Sequence, residues 1–170
     1  MTTEPPRISS LSELAPSVAL RAFALVELAR KAGHSIGVFE TYRTAERQAW
    51  LYAQGRTRPG KIISNAPTVE TSWHGYGLAF DIAFLSTKAN WYWPADISVW
   101  KSIADLAAPL GLASGINWRN PDAPHYQPVN LKVSPSIIGK TGLREHGREY
   151  VWKITGHHVV SSELLSKLKL

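Results

Sequence analysis

The segment from Leu78 to Phe84 places a single carboxylate, Asp81, in the middle of an apolar run. Bulky apolar residues alternate there with Ala79, Asp81 and Ala83, and this period of two predicts a β-strand with one bulky and one small face. An isolated carboxylate is costly to bury unless a cation or several hydrogen-bond donors compensate for it. Any fold of this chain must therefore bring positive charge to Asp81, from a bound metal or, alternatively, from an arginine.

Helices and strands are mixed along the chain without regular alternation. Apolar spacing predicts helices over 11–32, 45–54 with Thr44 as N-cap, 98–110 and 161–170, and further short strands over 34–40 and 125–129. Residues 55–71 show no sustained period and are predicted to form a loop, and after Pro128 the pattern weakens. This order favours an α+β fold, with a small antiparallel sheet flanked by helices, over a doubly wound one.

The length of 170 residues predicts one domain body, which we expect to span residues 1–127, with a C-terminal extension over 128–170 packed on it or appended to it. The chain has no cysteine, which excludes thiolate metal sites, catalytic cysteine and disulfides. Any metal must therefore be held by histidines and carboxylates.

Two histidines are placed where they can join Asp81 around one ion. His74 lies seven residues earlier, in a segment whose two glycines, Gly75 and Gly77, allow the backbone to bend towards the strand. His125 supplies a third ligand, and two histidines with one carboxylate form a recognised open zinc site with a free position for water. The other histidines, at positions 34, 146, 157 and 158, have no such setting and receive no functional role.

Two more charged residues have positions that suit hydrolysis. Asp122, three residues before His125, is a candidate general base for an attacking water. Arg43 begins a helix after a strand and is a candidate for stabilising a carbonyl oxygen that becomes negative during attack. Taken singly, Asp122 is explained as a turn residue and Arg43 as a surface ion-pair residue. Their combination with the three candidate metal ligands is what favours catalysis.

Two motifs in this order resemble the VanY-like zinc peptidases, the family of D-Ala-D-Ala carboxypeptidases and L-alanyl-D-glutamate endopeptidases. The first is Ser-x-His-x-x-Gly-x-Ala-x-Asp over 72–81, and the second is Asp-x-Pro-His over 122–125. The segments 41–44 and 51–57, with Gln48 between them, resemble the phage endolysin branch. The resemblance implies a Hedgehog/DD-peptidase-like fold, Zn²⁺ on His74, Asp81 and His125, Asp122 as base and Arg43 near the substrate or oxyanion.

By this resemblance the chain is expected to be a peptidoglycan-degrading zinc endopeptidase that cleaves L-Ala-D-Glu in the stem peptide, as a phage-type endolysin does. We expect Ser72, Trp118 and Tyr126 to contact that peptide. The alternatives are a D-Ala-D-Ala carboxypeptidase with the same zinc chemistry and a zinc-containing binding module without catalysis. The presence of Asp122 favours catalysis over the module. We expect a monomer and no nucleic-acid partner.

The net charge of +6 is concentrated near the C-terminus. Residues 128–170 hold seven basic and three acidic side chains, which predicts attraction to an anionic cell-wall or outer-membrane surface. The first twelve residues lack the apolar segment of a Sec signal peptide. We therefore expect a protein made in the cytoplasm that acts on the wall after release, during host-cell lysis.

Overall fold

A computed structural model describes residues 3–131 and 134–168, with the side chains of 138–144 and 167–168 left out of the description. Five α-helices are present in this part of the chain: α1 (Pro16–Lys31), α2 (Ala45–Ala53), α3 (Ile97–Ala107), α4 (Pro135–Ile154) and α5 (Ser162–Leu168). The strands are β1 (Ile36–Glu40), β2 (Phe80–Leu85), β3 (Trp91–Tyr92), β4 (Leu112–Ser114) and β5 (His125–Pro128). The predicted α+β class is confirmed.

The sheet brings the site residues to neighbouring positions on three strands. Its order is β1-β2-β5-β4, with β3 pairing with β2, and every pairing is antiparallel. Asp81 in β2 lies opposite Glu40 of β1 on one side and opposite His125 of β5 on the other. A shift in register between Val38 and Glu40 accompanies this arrangement. One ligand candidate thus faces another directly across a strand pair.

The helices pack on this sheet through the apolar stripes that their sequences predict. Pro16 begins α1 at its first turn, and the helix buries Val18, Ala22, Leu25 and Ala29 against the core. Asp96 caps α3 by accepting a hydrogen bond from the amide of Ser98 at 2.8 Å. Helices α1 and α3 therefore pack on the apolar face of the sheet and leave the opposite face to the site.

Four elements differ from the sequence-based expectation. The short strands Trp91–Tyr92 and Leu112–Ser114 lie where no strand was predicted, because two or three residues carry too little periodicity to identify a strand. The long helix α4 was missed because its apolar positions follow no clear stripe, and its backbone departs from helical angles at Gly147, where φ is 76°. Within the predicted loop, Val69–Thr71 forms a single 3₁₀ turn.

The described part of the C-terminal extension contacts the body through several side chains. Val151 of α4 is fully buried in the core, and the indole nitrogen of Trp152 donates to the carbonyl oxygen of Tyr76 at 2.6 Å. Arg148 pairs with Glu13 at 2.9 Å and so directs its charge to the body. Of the seven basic residues behind the predicted positive surface, five lie outside the described side chains: Lys132, Lys140, Arg144, Lys167 and Lys169. No helix in the described ranges is both long and apolar enough to cross a membrane.

His157 joins the extension to α1 from a buried position. Its Nδ1 shares a hydrogen bond of 2.7 Å with the hydroxyl of Ser17, and the residue is 1% exposed. Burial and the nearby charge of Arg21 lower the pKa of His157 to about 4. The imidazole is therefore neutral in the folded protein at neutral pH, and it takes up a proton more readily once the chain unfolds.

The low pKa of His157 predicts a specific pH dependence of stability. Between about pH 6.5 and about pH 4 the unfolded chain binds the proton and the folded protein does not, so the free energy of unfolding falls as the pH falls, by up to about 3 kcal/mol. We expect His157→Gln to lack this component, so its stability should fall less than that of the wild type over the same range. Denaturant unfolding at several pH values checks this, and parallel pH profiles for the two proteins would contradict it.

Candidate metal centre

His74 is held by a short turn that only glycine permits. Trp73–Tyr76 forms a 3₁₀ turn that ends at Gly77, whose φ of 65° lies in the left-handed region. A Cβ at Gly75 would lie 2.3 Å from the carbonyl oxygen of Val69, and one at Gly77 would lie 2.3 Å from that of Glu13. The two glycines therefore allow the backbone to pack closely on both sides of His74, which turns its imidazole towards β2.

Three donor atoms meet at the floor of a cavity of about 640 Å³. Asp81 Oδ1 lies 3.3 Å from His74 Nε2 and 3.4 Å from His125 Nδ1, and the two ring nitrogens are 3.2 Å apart. These are the three predicted metal ligands, and among the described residues they form the one group of histidines and carboxylates suited to holding an ion. In a tetrahedral zinc site with bonds of about 2.0–2.1 Å, neighbouring ligand atoms lie about 3.3 Å apart. The spacing thus fits zinc.

In each histidine, the ring nitrogen that does not contact Asp81 donates a hydrogen bond to a carbonyl oxygen. His74 Nδ1 donates to the backbone oxygen of Thr41 at 2.7 Å, and His125 Nε2 donates to Oε1 of Gln127 at 3.1 Å. Since each neutral imidazole carries one proton, these bonds leave His74 Nε2 and His125 Nδ1 as lone-pair donors that face one another and Asp81. Lone pairs at this distance repel unless a cation or a proton lies between them.

The electrostatics of the site favour a cation. Without a metal, burial opposes the ionisation of Asp81, but positive charge on His74 and hydrogen bonds from both imidazoles, when these are protonated, hold the pKa of Asp81 well below its usual range. Burial likewise opposes the protonation of His125, but Asp81 and Asp122 raise the pKa of His125. In the absence of a metal, a proton on His125 would balance the carboxylates, so metal binding should compete with protons and weaken as the pH falls.

Arg43 bonds to Oδ2 of Asp81, the carboxylate oxygen that the two histidines do not contact. Its Nη2 donates to Asp81 Oδ2 at 3.2 Å and to Glu40 at 2.5 Å, and its Nη1 donates to Gln48 at 3.1 Å. The arginine considered from the sequence therefore bonds Oδ2, while Oδ1 of the same carboxylate belongs to the group that could hold a metal. Because Arg43 occupies Oδ2, Asp81 offers Oδ1 alone to the two imidazoles.

The remaining candidates lie in different places. Asp122, Ser72 and Trp118 line the cavity, and the Trp118 ring lies 4.9 Å from that of His125. Tyr126 points the opposite way along the strand: it is fully buried and stacks on Phe80 at 5.8 Å. This burial is a correction to the expected contact between Tyr126 and a substrate, since its ring cannot reach the cavity.

The sequence reasoning missed Gln127 and Glu40. Gln127 lies two residues after His125 on a strand, so both side chains are on one face, and that spacing is a signal that could have identified it. Glu40 is 3% exposed and pairs with both Arg43 and Arg47, which makes it the centre of a buried charged network beside the site. Its position depends on the pairing of β1 with β2, so no local pattern indicates it.

Comparisons with known proteins show what this chain is similar to. The profile of a family described as D-alanyl-D-alanine carboxypeptidase matches residues 65–128, a span that includes His74, Asp81, Asp122 and His125. The chain is 32% identical over 126 residues to the peptidoglycan L-alanyl-D-glutamate endopeptidase CwlK of Bacillus subtilis, and the match covers 69% of this chain and 75% of the relative. The crystal structure of the L-Ala D-Glu endopeptidase ChiX of Serratia marcescens superimposes with a TM-score of 0.47 at 18% identity, covering 72% of this chain and 89% of ChiX.

The hydrogen bond from His125 to Gln127 predicts a measurable effect on metal affinity. We expect Gln127→Leu to weaken zinc binding about 10–100-fold, because the imidazole loses the acceptor that fixes its tautomer. Competition titration with a chromophoric chelator measures this. Asn130→Leu, an exposed change three residues further on, serves as the matched control. Wild-type affinity in Gln127→Leu would show that the tautomer of His125 is fixed by something else.

Proposed function

Since the chain belongs to the M15 peptidase family, the VanY-like zinc peptidases, we propose that it is a zinc peptidase that cleaves the L-Ala-D-Glu bond of the peptidoglycan stem peptide. The observation that carries the proposal is the group of three lone-pair donors, 3.2–3.4 Å apart, at the floor of a cavity large enough for a peptide. Histidine and carboxylate donors at this spacing suit zinc, whereas magnesium and calcium prefer sites made of oxygen ligands alone.

In this proposal His74, Asp81 and His125 hold the zinc, and the chain supplies the remaining groups. A bound zinc ion lowers the pKa of a water molecule and polarises a carbonyl group, which is the chemistry that peptide hydrolysis needs. Arg43 fixes Asp81 through Oδ2, and its charge also borders the cavity, where it can stabilise a carbonyl oxygen that becomes negative during attack. His74, His125 and Arg43 are buried and held by hydrogen bonds, so little rearrangement is needed for metal binding.

Asp122 is assigned as the general base. Its backbone is fixed by a hydrogen bond from its amide to the carbonyl oxygen of Gly115 at 2.9 Å, and a Cβ at Gly115 would lie 2.4 Å from the oxygen of Asp122. Desolvation and the neighbouring Asp81 raise the pKa of Asp122. A carboxylate with a raised pKa accepts a proton from an attacking water more readily and can pass it to the leaving amine.

The choice of bond rests on the relatives. The 32% identical CwlK is named for L-alanyl-D-glutamate cleavage, whereas the matching family profile is named for D-alanyl-D-alanine carboxypeptidase, so a carboxypeptidase is the second candidate. We also propose that the protein acts as an endolysin, which reaches the wall during host-cell lysis. The basic residues in 128–170 would then attract it to an anionic surface. Ser72 and Trp118, on the cavity wall, are assigned to contact the stem peptide.

Mass analysis of digested muropeptides tests the bond directly. We expect the zinc-loaded protein to release fragments that begin with D-Glu from a purified disaccharide tetrapeptide, and to lose this activity with a chelator and regain it with added zinc. Loss of a terminal D-Ala from a pentapeptide, with the L-Ala-D-Glu bond intact, would instead establish the carboxypeptidase. A zinc-loaded protein that leaves every wall preparation intact would support the binding module.

The assignment of Asp122 predicts that metal binding and turnover can be separated. We expect Asp122→Asn to keep one zinc per chain but to lose about 100- to 10,000-fold in kcat, because the base acts on water without holding the ion. Asp105→Asn, an exposed change on α3, is the matched control for loss of one carboxylate. Loss of zinc in Asp122→Asn would make Asp122 a ligand, and wild-type turnover would leave it without a catalytic role.

A further inference from the structure

Three aromatic side chains form a continuous surface that leads away from the metal centre. The ring of Phe39 lies 4.9 Å from that of Trp93 and 5.5 Å from that of Trp91, in both cases nearly perpendicular to it. Phe39 and Trp93 line the same cavity as the metal group. We call Phe39, Trp91 and Trp93 the aromatic wall. None of them is needed for the hydrolysis described above.

The aromatic wall is exposed and yet held in place. Trp93 is 48% exposed and Trp91 is 36% exposed, which is unusual for large apolar side chains in such close contact. Trp91 lies against Gly37 of β1, where an added Cβ would come within 2.9 Å of the indole. The guanidinium of Arg7 covers the Phe39 ring at 3.6 Å. The rings are therefore preorganised, which lowers the entropy cost of binding a ligand on the two exposed indoles.

The position of the aromatic wall indicates which part of the substrate it contacts. Trp91 pairs with Leu85, four residues along β2 from Asp81, so the wall begins at the cavity and ends about 13 Å away along the strand. In peptidoglycan, L-Ala is joined directly to the lactyl group of N-acetylmuramic acid. A scissile L-Ala-D-Glu bond at the metal centre therefore places the sugar only one residue, about 3.5 Å of extended chain, and one lactyl group away. The sugar therefore lies close to the cavity, within reach of a surface that begins there.

We propose that the aromatic wall is a saccharide subsite that binds the N-acetylglucosaminyl-N-acetylmuramic acid portion of peptidoglycan next to the cleavage site. This inference rests on the proposed cleavage of the L-Ala-D-Glu bond. The C–H faces of the pyranose rings and the acetamido methyl groups pack on the indoles, while the sugar hydroxyls stay in water. Amphipathic rings of tryptophan suit such a half-wet contact. The subsite makes the enzyme favour stem peptides that are still attached to glycan.

A pair of substrates tests the subsite. One is the disaccharide tetrapeptide, and the other is the same tetrapeptide with an N-acetyl group in place of the sugar. We expect the wild type to have the higher kcat/KM on the first, and Trp93→Ala to reduce the ratio of the two values about tenfold. Trp93→Tyr should restore most of the ratio. Phe23→Ala removes a similarly exposed ring from α1 and should leave the ratio at the wild-type value. An unchanged ratio in Trp93→Ala, or an equal loss on both substrates, would overturn the proposal.

Binding of the free disaccharide separates this proposal from the proposed function. Saturation-transfer NMR with N-acetylglucosaminyl-N-acetylmuramic acid should show contact with the wild type and a weakened signal with Trp93→Ala, whether or not the protein cleaves either peptide. A protein that binds the disaccharide but cleaves neither substrate would retain the subsite and contradict the peptidase assignment. A protein that cleaves the peptides but shows no contact with the disaccharide would contradict the subsite alone.

Discussion

The carboxylate of Asp81 is the constraint on which the rest of the site depends. It lies in the central part of the sheet, between Glu40 of β1 and His125 of β5, where an uncompensated charge would be strongly destabilising. Arg43 compensates this charge at one carboxylate oxygen, and the two imidazoles contact the other. This division of the carboxylate leaves Oδ1 as a single, fixed donor atom, so a compensation required for stability also supplies one ligand of the proposed metal centre.

The supporting network extends this constraint to the N-terminal segment. Glu40 bridges Arg43 and Arg47, and Arg47 also donates to Glu4 and to the carbonyl oxygen of Pro5, each at 2.8 Å. Removing one partner of such a buried group costs about 3–5 kcal/mol, because the others remain charged and unpaired. Residues before α1 thus hold Arg47, and through Glu40 they help to position Arg43, whose guanidinium bonds Asp81. The N-terminal segment is therefore part of the framework of the site.

The sequence predicted what depends on local pattern and on chemistry that few residue types can perform. The strand around Asp81 and the cap at Thr44 follow from spacing alone, and the structure has both. The burial of Tyr126 could have been predicted, because alternation along the predicted strand turns it away from the face that carries His125. The aromatic wall could not be predicted from the sequence, because its rings come from β1 and from the segment after Leu85, which only the pairing of the strands brings together.

The central claim is that three donor atoms converge on one zinc ion, and diffraction at the zinc absorption edge from crystals of the zinc-loaded protein tests it most directly. The account predicts one strong anomalous peak within bonding distance of His74 Nε2, Asp81 Oδ1 and His125 Nδ1, while His125 Nε2 still donates to Gln127. A peak at other residues, or full zinc loading with no peak between these three atoms, would contradict the account.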